Sequence, residues 1–467
     1  MPVETMGSSK EDGGMTDKVM DQLRVPDASF TGEVVRPGDP GYEDVRRVHN
    51  ASIDKRPALI LRCRSTADVV AALAVGRESG LEVAVRGGGH SIAGRSTTDG
   101  GILIDLSPMK GIVVNPTTRT VRVQGGATWR ELNREAAIHE LATTGGVISS
   151  TGVAGLTLGG GLGWLMGTHG LSVDNLMAVE LVTAEGEVLD VTEATQPDLF
   201  WGLRGGGGIF GIAASLEFRL HPLGMVTAGL IAHPFEAARD LLAYVREYTA
   251  GAPDELAVMP LLVHAPDGSG TRLAAVAVCH AGSPEQAETD LAPLRGFGSP
   301  VLAQVGPMPY PAVNTMLDDG FPRGARYYWK SGFVAALGDG VIDALVEGFA
   351  ACPSAMTGIA IEHFHGAVTR VPVDATAVPH REASFNVLIA GVWNDPAGDE
   401  ANAAWARATY EALAPFLVGR RYVNYLSADD TAAAPDAYGG NLTRLAELKR
   451  RYDPDNVFRL NQNISRA

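Results

Sequence analysis

The sequence predicts an α+β protein in two parts: a glycine-rich unit, and a second unit with an antiparallel sheet backed by helices. Three observations carry this. The chain has 467 residues, more than one ordinary hydrophobic core encloses. From Arg56 onward, short apolar runs alternate with helix-like stretches, the pattern of packed sheet and helix layers. Near Pro222 the texture changes from clustered glycines to alternating strand patterns.

Residues 1–28 are rich in Gly, Asp, Met and Lys and are expected to be irregular. PALILRC reads as a buried strand. A helix follows over 65–79, with Ser65 as N-cap, Asp68 at its third position and Gly80 as its stop. Residues 81–85, GILIDLS and TVRVQGG read as further strands, and 129–139 as a helix. MAVELVTAEGEVLDVT reads as a hairpin around Glu185 and Gly186. Beyond 223, YYWKSGFV, GIAIEHFHGAV and SFNVLIAGVW suit an antiparallel sheet, with helices such as 236–248 on one side. The division is then a first unit over 29–222, a sheet unit for substrate over 223–405, and a closing segment over 406–467 that completes the first.

Composition narrows the function classes. Hydrophobic residues make up 45% and charged residues 20%, the balance of a soluble globular protein. A net charge of −16 argues against nucleic acid and anionic membrane surfaces as partners. Cys63, Cys279 and Cys352 lie far apart, without zinc-ligand spacing. Their low, odd number fits a reducing compartment. No apolar signal-peptide core or membrane-length run occurs, so the expected location is the cytoplasm, as a monomer or small homo-oligomer.

The segment RGGGHSIAGRSTTDGGILIDLS, 86–107, sets His90 directly after three glycines and between two strand-like runs. Glycine has no Cβ, so backbone N–H groups there can close around a bulky anion such as a pyrophosphate. A histidine at the rim can reach whatever the phosphates carry. A second block, GGVISSTGVAGLTLGGGLG, spans 145–163, and a third, GLRGGGGIFG, spans 202–211. The third contains a G-x-G-x-x-G at Gly206, Gly208 and Gly211. It lacks the strand–loop–helix setting and the following acidic residue of a Rossmann site.

With NQNI at 461–464, these blocks resemble the berberine-bridge-enzyme-like oxidases of the vanillyl-alcohol-oxidase superfamily. The resemblance runs from about Glu33 to Ile464 and is weakest in the sheet unit. It implies a two-part FAD-binding domain of the PCMH type. FAD would be held by Arg86, Gly87, Gly88, Gly89, His90 and Ser91. The second block would add Gly145, Thr151, Gly152, Gly155, Gly159, Gly160 and Gly163, and Ile212 follows the third. Tyr422 and Asn424 belong to a Y-x-N-Y match, and Asn461 and Asn463 to the closing contacts. The resemblance also implies a covalent bond from His90 to the flavin's 8α-methyl group. Where many relatives carry a second linking cysteine this chain has Ile148, so a single attachment and a smaller substrate are expected. Ile209 stands in place of a usual asparagine.

Removing a C–H hydrogen with a flavin needs a base for the O–H or N–H proton. Glu362 interrupts an otherwise apolar strand, where a carboxylate is costly unless used or paired. Burial would raise its pKa toward neutrality; a structural Glu362 would instead pair with Arg370, Arg326 or His363. Tyr328, Lys330, His365 and Tyr425 are the further candidates, and Thr151 matches the position that gates oxygen in relatives. Alternation sets Arg326, Tyr328 and Lys330 on one strand face. His363 and His365 lack a third ligand, so no metal is expected. The function implied is an FAD-dependent oxidase that acts on a small alcohol, sugar, amine or natural-product intermediate, with O2 reduced to hydrogen peroxide. The alternatives are a dehydrogenase with another acceptor and a flavin carrier without turnover.

Overall fold

The computed structural model describes residues 30–430 and 432–464; the expected irregular stretch at 1–28 lies outside the described residues. A four-stranded sheet orders Glu33–Val35, Leu59–Arg62, Ile102–Asp105 and Val83–Arg86, with the last three parallel. The helix Thr66–Ser79 makes the crossover between Leu59–Arg62 and Val83–Arg86. Its Ser65 cap accepts from the Asp68 N–H, and Gly80 ends it in the left-handed region at φ 65°, the two signals legible in the sequence. Arg86 and Asp105 are register partners at the ends of neighbouring parallel strands. The His90 loop therefore leaves the sheet at the Arg86 end and crosses back to the opposite end, where Ile102 pairs with Val83.

A five-stranded antiparallel sheet orders Ile112–Asn115, Thr120–Gln124, Ile212–Arg219, Leu176–Val182 and Val188–Thr192. The last two form the expected hairpin, with Gly186 at φ 86° in its turn. The third glycine block joins the helix Pro197–Leu203 to the strand Ile212–Arg219. That order is the reverse of a Rossmann turn.

The third sheet has seven antiparallel strands, ordered Leu302–Pro309, Met225–Pro234, Arg272–His280, Leu256–His264, Gly358–Phe364, Ser384–Trp393 and Arg326–Val334. Four helices, Ala238–Thr249, Pro284–Arg295, Asp339–Ala350 and Asp399–Leu413, back one face. Leu241, Leu291, Leu345 and Trp405 bury there against Val276, Ile361 and Ile389. Because strand side chains alternate, the odd positions Ile359 and Ile361 meet this helix layer. Ala360 and Glu362 then belong to the other face. The helix Asp399–Leu413 runs through the boundary expected at 405, and its Trp405, Ala406 and Leu413 all bury in the same layer. A continuous apolar stripe cannot be divided between two cores, so the sheet unit extends past that point.

Long-range polar contacts tie the sheet unit to the glycine loops. Asn50 donates to the Ile92 and Tyr327 carbonyls and accepts from the Tyr327 N–H. The Asp318 carboxylate accepts from Ser149 and pairs with Arg130. Buried Arg381 forms a two-point ion pair with Asp174 at 2.7 and 2.8 Å.

Candidate active site

The His90 loop is anchored from below. Arg86 grips Asp105 through two hydrogen bonds of 2.9 and 2.6 Å and donates to the Val45 carbonyl. Burial works against the Asp105 charge, but Arg86 and Ser107 outweigh it and hold the pKa below the usual range. Gly89 takes φ 72°, which only glycine adopts freely. Gly88 and Gly152 touch: a Cβ on Gly88 would stand 2.4 Å from the Gly152 nitrogen, and one on Gly152 would stand 2.5 Å from the Gly88 nitrogen. The first two glycine blocks are therefore glycine at this crossing because two backbones meet there.

His90 hydrogen-bonds Ser150 Oγ through Nε2 at 2.8 Å. Its ring stacks on His49, centroid to centroid 3.8 Å, and His49 stacks in turn on Tyr327 at 5.0 Å. Burial drives the His90 pKa well below its ordinary value, with help from His49 and Arg323. Burial also lowers that of His49, to about 4. Both rings are neutral at physiological pH.

A cavity of about 580 Å³ runs between the loops and the bare face of the large sheet, within the size range of small-molecule sites. Glu362 stands on its sheet wall, buried. Asn386, its cross-strand register partner, donates to Oε2 at 2.7 Å, and Tyr425 donates to Oε1 at 2.8 Å. Burial raises the Glu362 pKa to about 7, against the lowering effect of these two hydrogen bonds. The cations considered as its partners are engaged elsewhere: Arg370 with Asp254 and Arg326 with Asp399. His363 stacks on His365 and Phe385.

Two family models match the chain: an FAD binding domain over residues 57–192, and a berberine and berberine-like segment over 421–465. The (R)-6-hydroxynicotine oxidase of Paenarthrobacter nicotinovorans is 31% identical over 93% of this chain and 97% of its own. An FAD-linked oxidoreductase of Dictyostelium discoideum is 31% identical over 93% and 95%. The crystal structure of 6-hydroxy-D-nicotine oxidase from Arthrobacter nicotinovorans superposes with a TM-score of 0.87 at 30% identity, covering 95% of this chain and all of that one. The chain belongs to the berberine-bridge-enzyme-like FAD-linked oxidoreductases. It is an enzyme with the PCMH-type FAD-binding fold of that family.

The berberine-like cavity gathers much of the residue set expected from sequence. Gly87, Gly88, Gly89, His90, Ser91, Thr151, Gly152, Gly155, Ile212, Asn424, Tyr425, Asn461 and Glu362 all border it, as does Ile148. Others do not. Arg86 is consumed by Asp105. Gly145 packs against the Trp129 ring, Gly163 packs against the Gly145 backbone, and Gly159 lies under Asn424. Gly160, at φ 121°, sits against Tyr422. Tyr422 instead positions the second block, its hydroxyl accepting from the Gly161 N–H and from Asn424. Asn463 does not border the cavity, whereas its neighbour Gln462 does.

Tyr328 and Lys330 share a face, as alternation predicts, but that face meets the helix layer. Tyr328 donates to Asp429 and accepts from Arg407; Lys330 pairs with Asp429 and Asp430. Trp329, the alternate residue, borders the cavity. His365 turns to the Pro253 carbonyl. Ile209 buries in the core rather than in the cavity, and its carbonyl receives Lys449.

Sequence reasoning missed His49, Arg95, Ser96 and Gln462, all of which border the cavity. Arg95 and Ser96 lie inside the quoted loop; a lone cation among small residues was the available signal.

The residues present fit FAD. The cavity is long enough to run from the glycine crossing to the sheet wall. At the loop end the Arg95 guanidinium makes no hydrogen bond or ion pair among the described residues, and burial lowers its pKa. The neighbouring buried Ser96 Oγ has no partner there either. An anion answers both. Among the described residues no group of three His, Cys, Asp or Glu could hold a metal ion. No helix among them is long and apolar enough to cross a membrane.

Proposed function

We propose that this enzyme is an oxidase. It takes a C–H hydrogen and the adjacent O–H or N–H proton from a small organic substrate, leaves a carbonyl or imine, and passes two electrons to O2, which leaves as hydrogen peroxide. Bound FAD supplies the two-electron acceptor that links the two halves of the reaction.

The observation that carries this reading is Glu362: a buried carboxylate on the cavity wall, opposite the glycine loops, without a cationic partner. A group poised near pH 7 suits a general base. Asn386 and Tyr425 hold one oxygen each, which fixes the carboxylate and leaves a lone pair on each oxygen for the substrate proton. Residues 29–222 and the tail after the helix Asp399–Leu413 would hold the cofactor, and the seven-stranded sheet the substrate. Arg95 and the N–H groups of Gly87–Ser91 would take the phosphates.

His90 carries the flavin as a single covalent link in this reading. Burial favours its neutral form, and in the tautomer whose Nε2–H donates to Ser150 Oγ the Nδ1 lone pair is the open nucleophile. Ile148 supplies no thiol for a second bond, and the free cysteines stand outside the cavity lining. Thr151, on the cavity edge, would set oxygen access.

The test is anaerobic mixing with a panel of alcohols, amines and sugars while flavin bleaching is followed, then admission of air with a peroxide assay. Bleaching followed by fast reoxidation and peroxide supports the oxidase. Bleaching without peroxide assigns a dehydrogenase with another acceptor, and no bleaching by any compound assigns a flavin carrier.

A further inference from the structure

The sheet wall around Glu362 is almost wholly apolar. Leu230, Leu273, Met259, Leu261, Leu388 and Trp329 come from five different strands and border the same cavity. Phe321 meets Trp329 edge-on at 5.9 Å, and Tyr425 meets it at 5.6 Å. The other ionisable groups of this half stand away from Glu362: Asp319 is exposed at the mouth, and His264 is turned to the Thr357 carbonyl. The Trp329 indole N–H is buried without a partner. Beside Glu362 and His264, whose ring is turned to the Thr357 carbonyl, it is the one polar side chain that the strands of that wall bring to the cavity among the described residues.

We propose that the substrate is a lipophilic alcohol: an apolar body, aromatic or aliphatic, with a single hydroxyl that meets Glu362. This rests on the oxidase reading above and narrows it. A sugar brings several hydroxyls, and on this wall most would be buried without a hydrogen-bond partner, which is costly. A charged ammonium or carboxylate would lose its hydration with only one carboxylate, itself half protonated near pH 7, to answer it. A hydrocarbon body gains from every methylene it buries against the leucines.

The experiment titrates the purified holoenzyme with a homologous series of phenyl-substituted 1-alkanols of increasing chain length, and with glucose and cellobiose. Binding is read from the perturbation of the flavin absorbance, and turnover from anaerobic bleaching. The dissociation constant should fall about fourfold per added methylene over the first members, and the sugars should leave the spectrum unchanged. Leu273→Asn should weaken alkanol binding by about tenfold, with Leu273→Met close to the parent. Sugars binding more tightly than alkanols, or affinity indifferent to chain length, would overturn the proposal. Alkanols that bind with the chain-length trend but never bleach the flavin support the apolar site and sink the oxidase reading instead.

Discussion

The imidazole of His49 lies on that of His90, with the planes 23° apart and the ring centroids 3.8 Å apart. The His49 backbone N–H also donates to the Gly89 carbonyl. This stack sets the orientation of the His90 ring from the side, while Ser150 sets it through Nε2. His90→Ala should leave all flavin extractable into the supernatant after acid precipitation. His49→Ala should lower the acid-stable fraction of flavin while total flavin bound stays near the parent level; His49→Phe, which keeps a flat ring, should restore much of it. An unchanged acid-stable fraction in His49→Ala would show that Ser150 suffices.

Glu362 should govern the pH dependence of flavin reduction. Below its pKa of about 7 the carboxyl is protonated and accepts nothing, so the rate should rise with pH through that value. Glu362→Gln should lower flavin reduction by roughly two to four orders of magnitude and flatten the limb. Tyr425→Phe removes a hydrogen bond that favours the carboxylate, so the limb should move to higher pH. Stability runs the opposite way with pH. The folded carboxyl is raised from 4.5 to about 7, so folding favours its protonated form. That contribution is fully present below pH 4.5 and is lost as pH climbs through 7, a loss on the order of 3 kcal/mol. Glu362→Gln should therefore gain in melting temperature relative to the parent as pH rises, with activity falling. A parallel fall in both would assign Glu362 a structural role.

Thr151 borders the cavity beside the glycine crossing. Thr151→Leu adds bulk there without adding a polar group. Reoxidation by O2 should slow, while anaerobic reduction by substrate changes little. Equal slowing of the two steps, measured by stopped flow, would point to general overpacking.

Arg95 should matter for the phosphates and not for the flavin ring. In a His90→Ala background, where retention is non-covalent, Arg95→Met should weaken FAD binding by about ten- to a hundredfold, the scale of a hydrogen bond to a charged group. Riboflavin, which has no phosphate, should bind both proteins alike. Equal weakening of FAD and riboflavin in equilibrium dialysis would place Arg95 elsewhere.

Much of the cofactor side was legible in the sequence because its signals are local. The Ser65 cap, the Gly80 stop and the hairpin at Gly186 are properties of a few neighbouring residues, and so is a histidine placed after three glycines. Glu362 was legible for the same reason: a carboxylate in an apolar strand announces its cost in one segment. Period-two alternation likewise placed Arg326, Tyr328 and Lys330 together. It does not say which face of a strand meets a cavity and which meets a helix. That was settled by the four helices on one side of the large sheet, and it replaced Tyr328 with Trp329 on the wall.

By itself, then, the sequence determined the class of fold, the glycine loops, the histidine at their rim and the buried acid. Only the tertiary structure decided the partners: Tyr425 for Glu362, 63 residues apart, His49 for His90, Asp105 for Arg86, and Gly152 for Gly88. Local propensity is written along the chain. Which buried group meets which other is decided by packing whole layers against one another, where each polar atom must find its partner at long range.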